Sequence, residues 1–355
     1  MEYQVFQKPE LQSNGIFPTC GLFYGYPLPQ IPRLNTPITP AENFRRFLRR
    51  EQAMWVPESM ADVNDYYPEI IPDLHAFEFK GGVDSFGTVW VSNLPNPAMV
   101  KPGDPVLKEM KEWRKLTMPK PDLWDWQSAA DEYHKTIDKT RFSRANIVTG
   151  MFERLMSLMD YAGAAISLLT DPDEVRAFLE QTTAYNIDLI EHYKKYFNPD
   201  SVMFMDDWGH KRGPAFSHDC HRSIFLPSLK KLVKRTHELD MFFIMHSCGR
   251  ADYFLPEMIE AEVDVWQPDI SAVGDDLLGI IEQYGKDILF DIIWELPTNV
   301  DEEEARRRID DFTERYLASG SAFSTLYNAM DFDGMGLRDY FYEACRKIIN
   351  QPRQA

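Results

Sequence analysis

Cysteine is scarce in this chain: Cys20, Cys220, Cys248 and Cys345 are the four present in 355 residues. So few, so widely spaced, exclude a disulfide framework, and any that matter are better read as thiolate ligands or nucleophiles. Positive charge is also short, with 38 Lys plus Arg against 56 Asp plus Glu and a formal net charge of −18. Nucleic-acid binding draws on Lys and Arg displacing counterions from phosphates, so DNA and RNA are set aside. No run approaches the roughly 20 apolar residues of a membrane span, and the start Met1-Glu2-Tyr3-Gln4-Val5-Phe6 has no apolar signal core. The expectation is a cytoplasmic protein with no membrane partner. Gly-x-Gly-x-x-Gly and Gly-x-x-x-x-Gly-Lys are both missing, which removes the usual support for a nucleotide fold.

What is present is a globular composition, 44% hydrophobic and 13% aromatic, which excludes a disordered or fibrous chain. Residues 1–40 are rich in proline and read as an irregular arm wrapping the domain. Thr39-Pro40-Ala41-Glu42 supplies an N-cap, a proline at the first helical position and an acid, so a helix through Arg49 is expected. Residues 54–126 hold Trp, Pro and Gly with short strand-like runs such as Thr88-Val89-Trp90-Val91. The division is an N-terminal arm and elaboration over 1–127 and the main part of the fold over 128–355, one structural domain in all.

From about residue 128 the rhythm alternates. Helical pattern covers 128–141, 151–168, 171–196, 221–238, 252–261, 275–284 and 301–318. Between the later ones lie short apolar runs at 202–205, 241–245, 263–266, 288–293 and 322–326. This spacing predicts a parallel sheet buried on both faces, and among such α/β folds the (β/α)8 TIM barrel with an N-terminal elaboration fits best.

Function in such folds sits at the carboxyl ends of the strands. Two ends are rich in chemistry. Met205-Asp206-Asp207-Trp208-Gly209-His210 carries adjacent carboxylates that point to opposite sides of an extended strand, so at most one faces the pocket, as metal ligand, acid/base or substrate anchor, and the pair equally fits one acid capping a following turn with the other solvated. In Met245-His246-Ser247-Cys248-Gly249 the His and Cys are two apart and project to one side, where both reach a single zinc ion at about 2.0–2.3 Å. The same pair also fits a core histidine beside a small buried thiol. His218-Asp219-Cys220-His221 is metal-like in composition but equally a solvated helix start, Cys345 reads as core, and Asp301-Glu302-Glu303-Glu304 as the first turn of a helix.

These segments, with Gly82-Val83-Asp84-Ser85-Phe86-Gly87 and Leu255-Pro256-Glu257-Met258 among them, resemble the uroporphyrinogen decarboxylase superfamily and, within it, the zinc-dependent corrinoid methyltransferases. The resemblance implies an eight-stranded β/α barrel. The arginine-bearing segment with which true decarboxylases hold a porphyrinogen corresponds to Met54-Trp55-Val56-Pro57-Glu58-Ser59-Met60 and has no arginine. In the methyltransferases a His-x-Cys pair and a later Cys bind zinc; His246 and Cys248 match the pair, while the stretch after 322–326 has no Cys. Asp206 or Asp207 is then expected to complete the site, with Asp207 taken as the ligand beside His246 and Cys248. The implied activity moves a methyl group from a methoxylated aromatic compound to the Co(I) of a partner corrinoid (cobalamin) protein, an aryl ether O-demethylation with zinc or an acid activating the oxygen. A decarboxylase-like lyase, or methyl transfer from a methylamine or thiol, are the alternatives. Asp206, Asp207 and His246 are the expected catalytic groups, and Trp208, His210, Trp266, Tyr327 and Asn328 the expected substrate contacts, with Trp55, Trp90, Trp294 and Asp331 further candidates.

Overall fold

A computed structural model of the chain describes residues 5–17, 22–23, 26–27, 31–76, 81–93, 96–103, 105–297, 299–326 and 336–349. Seven parallel strands form one sheet in chain order: β1 Val63–Tyr66, β2 Phe142–Ile147, β3 Ser201–Met205, β4 Phe242–Ser247, β5 Val265–Pro268, β6 Leu289–Trp294 and β7 Ala322–Leu326. The register aligns Met205 with His246 and His246 with Gln267, which puts three strand ends side by side. Ser324 of β7 pairs with Ile292 on one side and makes a parallel bridge to Glu58 on the other. Its N–H donates to the Pro57 carbonyl at 3.3 Å, and Leu326 N–H donates to Glu58 Oε1 at 2.9 Å. The segment Pro57–Glu58 thus stands where the eighth strand of the ring belongs, and the fold is an α/β TIM barrel.

The expected strands are all present, shifted by a residue or two, and the longer helices follow them. The first helix, α1 (Pro40–Leu48), starts as its capping sequence requires, with Thr39 Oγ1 accepting from Glu42 N–H. Later come α2 (Trp126–Thr136), α3 (Phe152–Thr170), α4 (Pro172–Tyr196), α5 (Leu226–Glu238), α6 (Leu255–Glu260), α7 (Leu277–Tyr284), α8 (Glu302–Phe312) and α9 (Leu337–Ile348). In α4 a proline opens the helix, Asp173 and Glu174 occupy the first turn and Lys194 and Lys195 the last, each matching the helix dipole. Asp301 caps α8, whose first turn is Glu302, Glu303 and Glu304. The stretch 221–225 before α5 is a π-helical turn rather than part of the α-helix.

Two features position the site. At the amino-terminal end of the barrel, Phe44 of α1 stacks on Phe142 at 4.5 Å and meets Phe323 edge-on at 4.9 Å, and all three are fully buried. This aromatic plug closes that end. Around the outside, the arm pairs Ser13–Phe17 with Ile31–Leu34 in antiparallel fashion, and Gly82–Val83, Val89–Asn93 and Asn96–Val100 form a separate three-stranded sheet. Among the described residues no helix is long and apolar enough to cross a membrane.

Candidate active site

Beyond the plug the barrel opens into a cavity of about 510 Å3 at the carboxyl ends of the strands, a size suited to a small organic ligand. His246 and Cys248 line one wall, Arg144 and Asp65 the floor, and Met203, Ile293 and Trp294 supply apolar surface.

Asp207, His246 and Cys248 come together here, with one ligand atom from each lying within 4.8 Å of the others. The backbone explains why. Gly249 has φ +73, and a Cβ there would stand 2.2 Å from the Gly209 carbonyl carbon, so the turns after β3 and β4 pack glycine on glycine. That close approach carries Asp207 to Cys248, whose N–H donates to Asp207 Oδ1 at 2.7 Å. His246 is oriented from behind. Its Nδ1 lies 2.9 Å from Gln267 Oε1, while Gln267 Nε2 donates to Asp291 Oδ2 at 2.6 Å. A carboxylate only accepts, so the amide nitrogen must face Asp291 and the amide oxygen must accept from Nδ1–H. The imidazole lone pair is therefore on Nε2, which faces Cys248 Sγ at 3.4 Å.

A nitrogen, a sulfur and a carboxylate oxygen at this spacing fit zinc, whose ligand set is drawn from these three atom types. Burial, then the carboxylates of Asp207 and Glu153, push the Cys248 thiol up, so the thiolate needs a cation at its side. Glu153 is itself held well above the usual carboxylate range, by burial and by Asp207 and Asp206.

Asp206 does something else. It is fully buried and turned away from the cavity, accepting from Phe152 N–H at 3.1 Å, Glu153 N–H at 2.8 Å and Trp208 Nε1 at 2.6 Å. It caps the start of α3 and thereby places Glu153; burial raises its pKa to about 6. Trp208 is likewise fully buried, between Asp206, His221 and Phe254. Trp266 is fully buried against Phe290, and His210 is exposed on a two-stranded turn, its Nδ1 accepting from Arg212 N–H at 3.1 Å. None of these three lines the cavity, whereas Trp294 does, stacked on Phe312 at 3.9 Å. Trp55 and Trp90 donate to Asp62 and Asp84 elsewhere. Tyr327, Asn328 and Asp331 lie outside the described residues. In the 218–221 cluster, His218 pairs with Glu257, and His221 is a buried ring among Trp208, Phe216 and Phe254, its pKa lowered to about 3 by burial. The other group of metal-type side chains among the described residues, Asp122, Asp188 and His192, has the acids on opposite ring nitrogens.

Sequence reasoning missed the polar floor. Arg144 makes a two-pronged ion pair with Asp65 at 2.7 and 2.6 Å and lies 3.6 Å from Asp291, which also accepts from Thr325 Oγ1 at 2.7 Å. The available signal was the lone acid Asp291 inside an apolar run, since a buried charge requires partners.

Residues 99–277, just over half of the chain, match the family model for uroporphyrinogen decarboxylase (URO-D). The chain belongs to the URO-D family. Its place there agrees with the barrel, and both catalytic-end strands β3 and β4 fall inside the matched span. Among solved structures, this URO-D family member is similar to a methyltransferase from Methanosarcina mazei, with a TM-score of 0.59 at 10% identity over 88% of this chain and 98% of that one. At that identity the likeness speaks to the fold. Old Yellow Enzyme from Pichia sp. AKU4542 gives a TM-score of 0.36 at 11% identity over 65% and 74% of the two chains, too low to argue from. Among curated proteins no sequence matches this one.

Proposed function

We propose that this URO-D family protein is a methyltransferase that takes the methyl group of a methoxylated aromatic compound and passes it to the Co(I) of a separate corrinoid protein. The observation that carries the reading is the Asp207, His246 and Cys248 donor set, of which His246 and Cys248 line the cavity. A thiol-activating site of this family resembles a sulfur-rich one, with a second cysteine after the last strand; here residues 322–335 contain none, and Asp207 offers a harder oxygen in its place. A site with one sulfur ligand suits an ether oxygen.

The transfer exchanges a methyl–oxygen bond for a methyl–cobalt bond and leaves the oxygen with the electron pair. Zinc, when bound by His246, Cys248 and Asp207, supplies a Lewis acid for that oxygen. The chain's own residues do the rest. Gln267 holds the His246 ring in the tautomer that presents Nε2. Met203, Met205, Ile293 and Trp294 give an aromatic ring an apolar, water-excluding seat, so that the methyl group faces the mouth in one orientation.

The test has two parts. Purified protein should carry about one zinc per chain by elemental analysis, as a single three-residue site requires, and His246→Ala should lose it; no metal in either sinks the zinc role. Mixed with a reduced corrinoid protein and guaiacol, the enzyme should convert the Co(I) spectrum to that of the methylated cofactor. An unchanged spectrum across several methoxylated aromatics would count against the assignment.

A further inference from the structure

A second cavity, of about 530 Å3, lies at the end of the barrel opposite the donor set, where Ser143, Asp200 and Phe242 stand at or next to the amino ends of β2, β3 and β4. Its lining carries Arg45, Arg49, Lys139, Arg141 and Lys194 against the acids Asp200 and Asp240, the reverse of a chain in which 56 acids face 38 bases. Two of the five cations are committed. Arg45 pairs with Asp200 at 2.6 Å, and Arg141 donates to the Ala61 and Met60 carbonyls at 2.9 and 2.7 Å. Arg49, Lys139 and Lys194 make no ion pair and no side-chain hydrogen bond among the described residues, which leaves three free cations on the lining against Asp240. Arg49 and Lys139 are exposed and Lys194 is half-buried, so their charged ends have room to reach the cavity. They come from three elements: Arg49 closes α1, Lys139 follows α2 and Lys194 sits in the last turn of α4. Helix carboxyl ends attract cations, yet none of these three donates to a helix carbonyl. Like charges gathered around one cavity repel one another unless an anion stands between them.

We propose that this cavity is a binding site for a compact polyphosphate, the di- or triphosphate group of a small molecule, held by Arg49, Lys139 and Lys194. Phosphate oxygens match the guanidinium fork of Arg49 and accept from the two ammonium groups as from point charges. A row of two or three phosphates also spreads its charge over a length that cations on three separate elements can meet together, which a lone carboxylate does not. The site lies at the far end from His246 and Cys248, and the inference is independent of the methyl-transfer reading.

The experiment is calorimetry on the full chain with tripolyphosphate, ATP and citrate as probes, at low ionic strength where screening is weak. Tripolyphosphate should bind, and Arg49→Glu and Lys194→Glu should each weaken it at least about tenfold, the scale of one charge-assisted contact. Two controls should leave its affinity unchanged: Lys211→Glu, the same charge change on the turn after β3 at the other end of the barrel, and His246→Ala, which removes a proposed zinc ligand. ATP bound more tightly than tripolyphosphate would support the site and assign it to a nucleotide; ATP bound equally or less tightly would support it and assign it to free polyphosphate. Failure of tripolyphosphate to bind the unaltered chain overturns the inference without reference to any variant. Equal weakening by Lys211→Glu would mean bulk attraction, and loss of binding in His246→Ala would put the anion on the metal; either overturns it. Citrate bound as tightly as tripolyphosphate overturns the phosphate assignment.

Discussion

Gln267 separates His246 from Asp291 and settles which imidazole nitrogen is available. Replacing it with leucine removes the amide that reads both neighbours, frees the ring to turn and leaves Asp291 short of a donor. Outer partners of this kind are worth about 10–100-fold in metal affinity. Gln267→Leu should therefore retain the barrel's circular dichroism while zinc affinity, read by competition with a chromogenic chelator, falls within that range; unchanged affinity would deny Gln267 its orienting role. The His-x-Cys pair was legible in the sequence because alternation on an extended strand end places both side chains on one side without knowledge of anything else. Asp207 was legible only as one of two adjacent acids, and its selection over Asp206 depends on which side of β3 carries α3. Arg144, Asp65 and Gln267 were not legible. Their partners lie on other strands, and polar residues facing the inside of a barrel erase the apolar pattern that marks a strand. The same physics hid β2 itself, since Phe142-Ser143-Arg144-Ala145-Asn146-Ile147 alternates polar groups inward toward the cavity.

At the level of elements, the site depends on two turns touching. Gly249→Ala places a methyl group 2.2 Å from the Gly209 carbonyl carbon and also strains a residue at φ +73. The turns must part, which should cost about 2–4 kcal/mol and abolish zinc binding together. Urea unfolding and metal content measured on one preparation check this, and an alanine variant that keeps its zinc would show that the glycine contact does not position Asp207. The seam of the ring at Glu58 makes a different prediction. Burial raises its pKa to about 7 from an ordinary value near 4.5. Below about 4.5 the carboxyl is protonated folded or unfolded; between 4.5 and 7 only the folded state keeps the proton, so stability falls as pH rises through that window, by at most about 3 kcal/mol. Asp206, raised to about 6, acts in the same direction. Urea titrations at pH 5 and pH 8 should show Glu58→Gln with a shallower pH dependence than the unaltered protein, but not a flat one. An identical dependence would mean that Glu58 ionises normally at the seam.

Across the whole molecule, the two ends of the chain are tied. Glu10 in the arm pairs with Arg346 of α9 through both carboxylate oxygens at 2.8 Å and accepts from Tyr342 OH at 2.8 Å, with the arginine fully buried. Breaking a buried pair by removing one member typically costs about 3–5 kcal/mol, because the other charge is left in a low dielectric. Glu10→Ala should lower the urea midpoint accordingly, with the proposed zinc site untouched; a loss below about 1 kcal/mol would show that the arm is held by its apolar contacts alone. The phenylalanine plug has a consequence for order of events. With Phe44, Phe142 and Phe323 packed across one end, the described residues leave the well a mouth at the carboxyl ends of the strands. A corrinoid protein presenting its cobalt to the methyl group has to sit across that mouth, and while it sits there nothing else can enter or leave. If the proposed function holds, the aromatic compound arrives first and its demethylated product departs last, after the partner lifts away. Under the proposed function, excess corrinoid protein would slow turnover by corking an empty well.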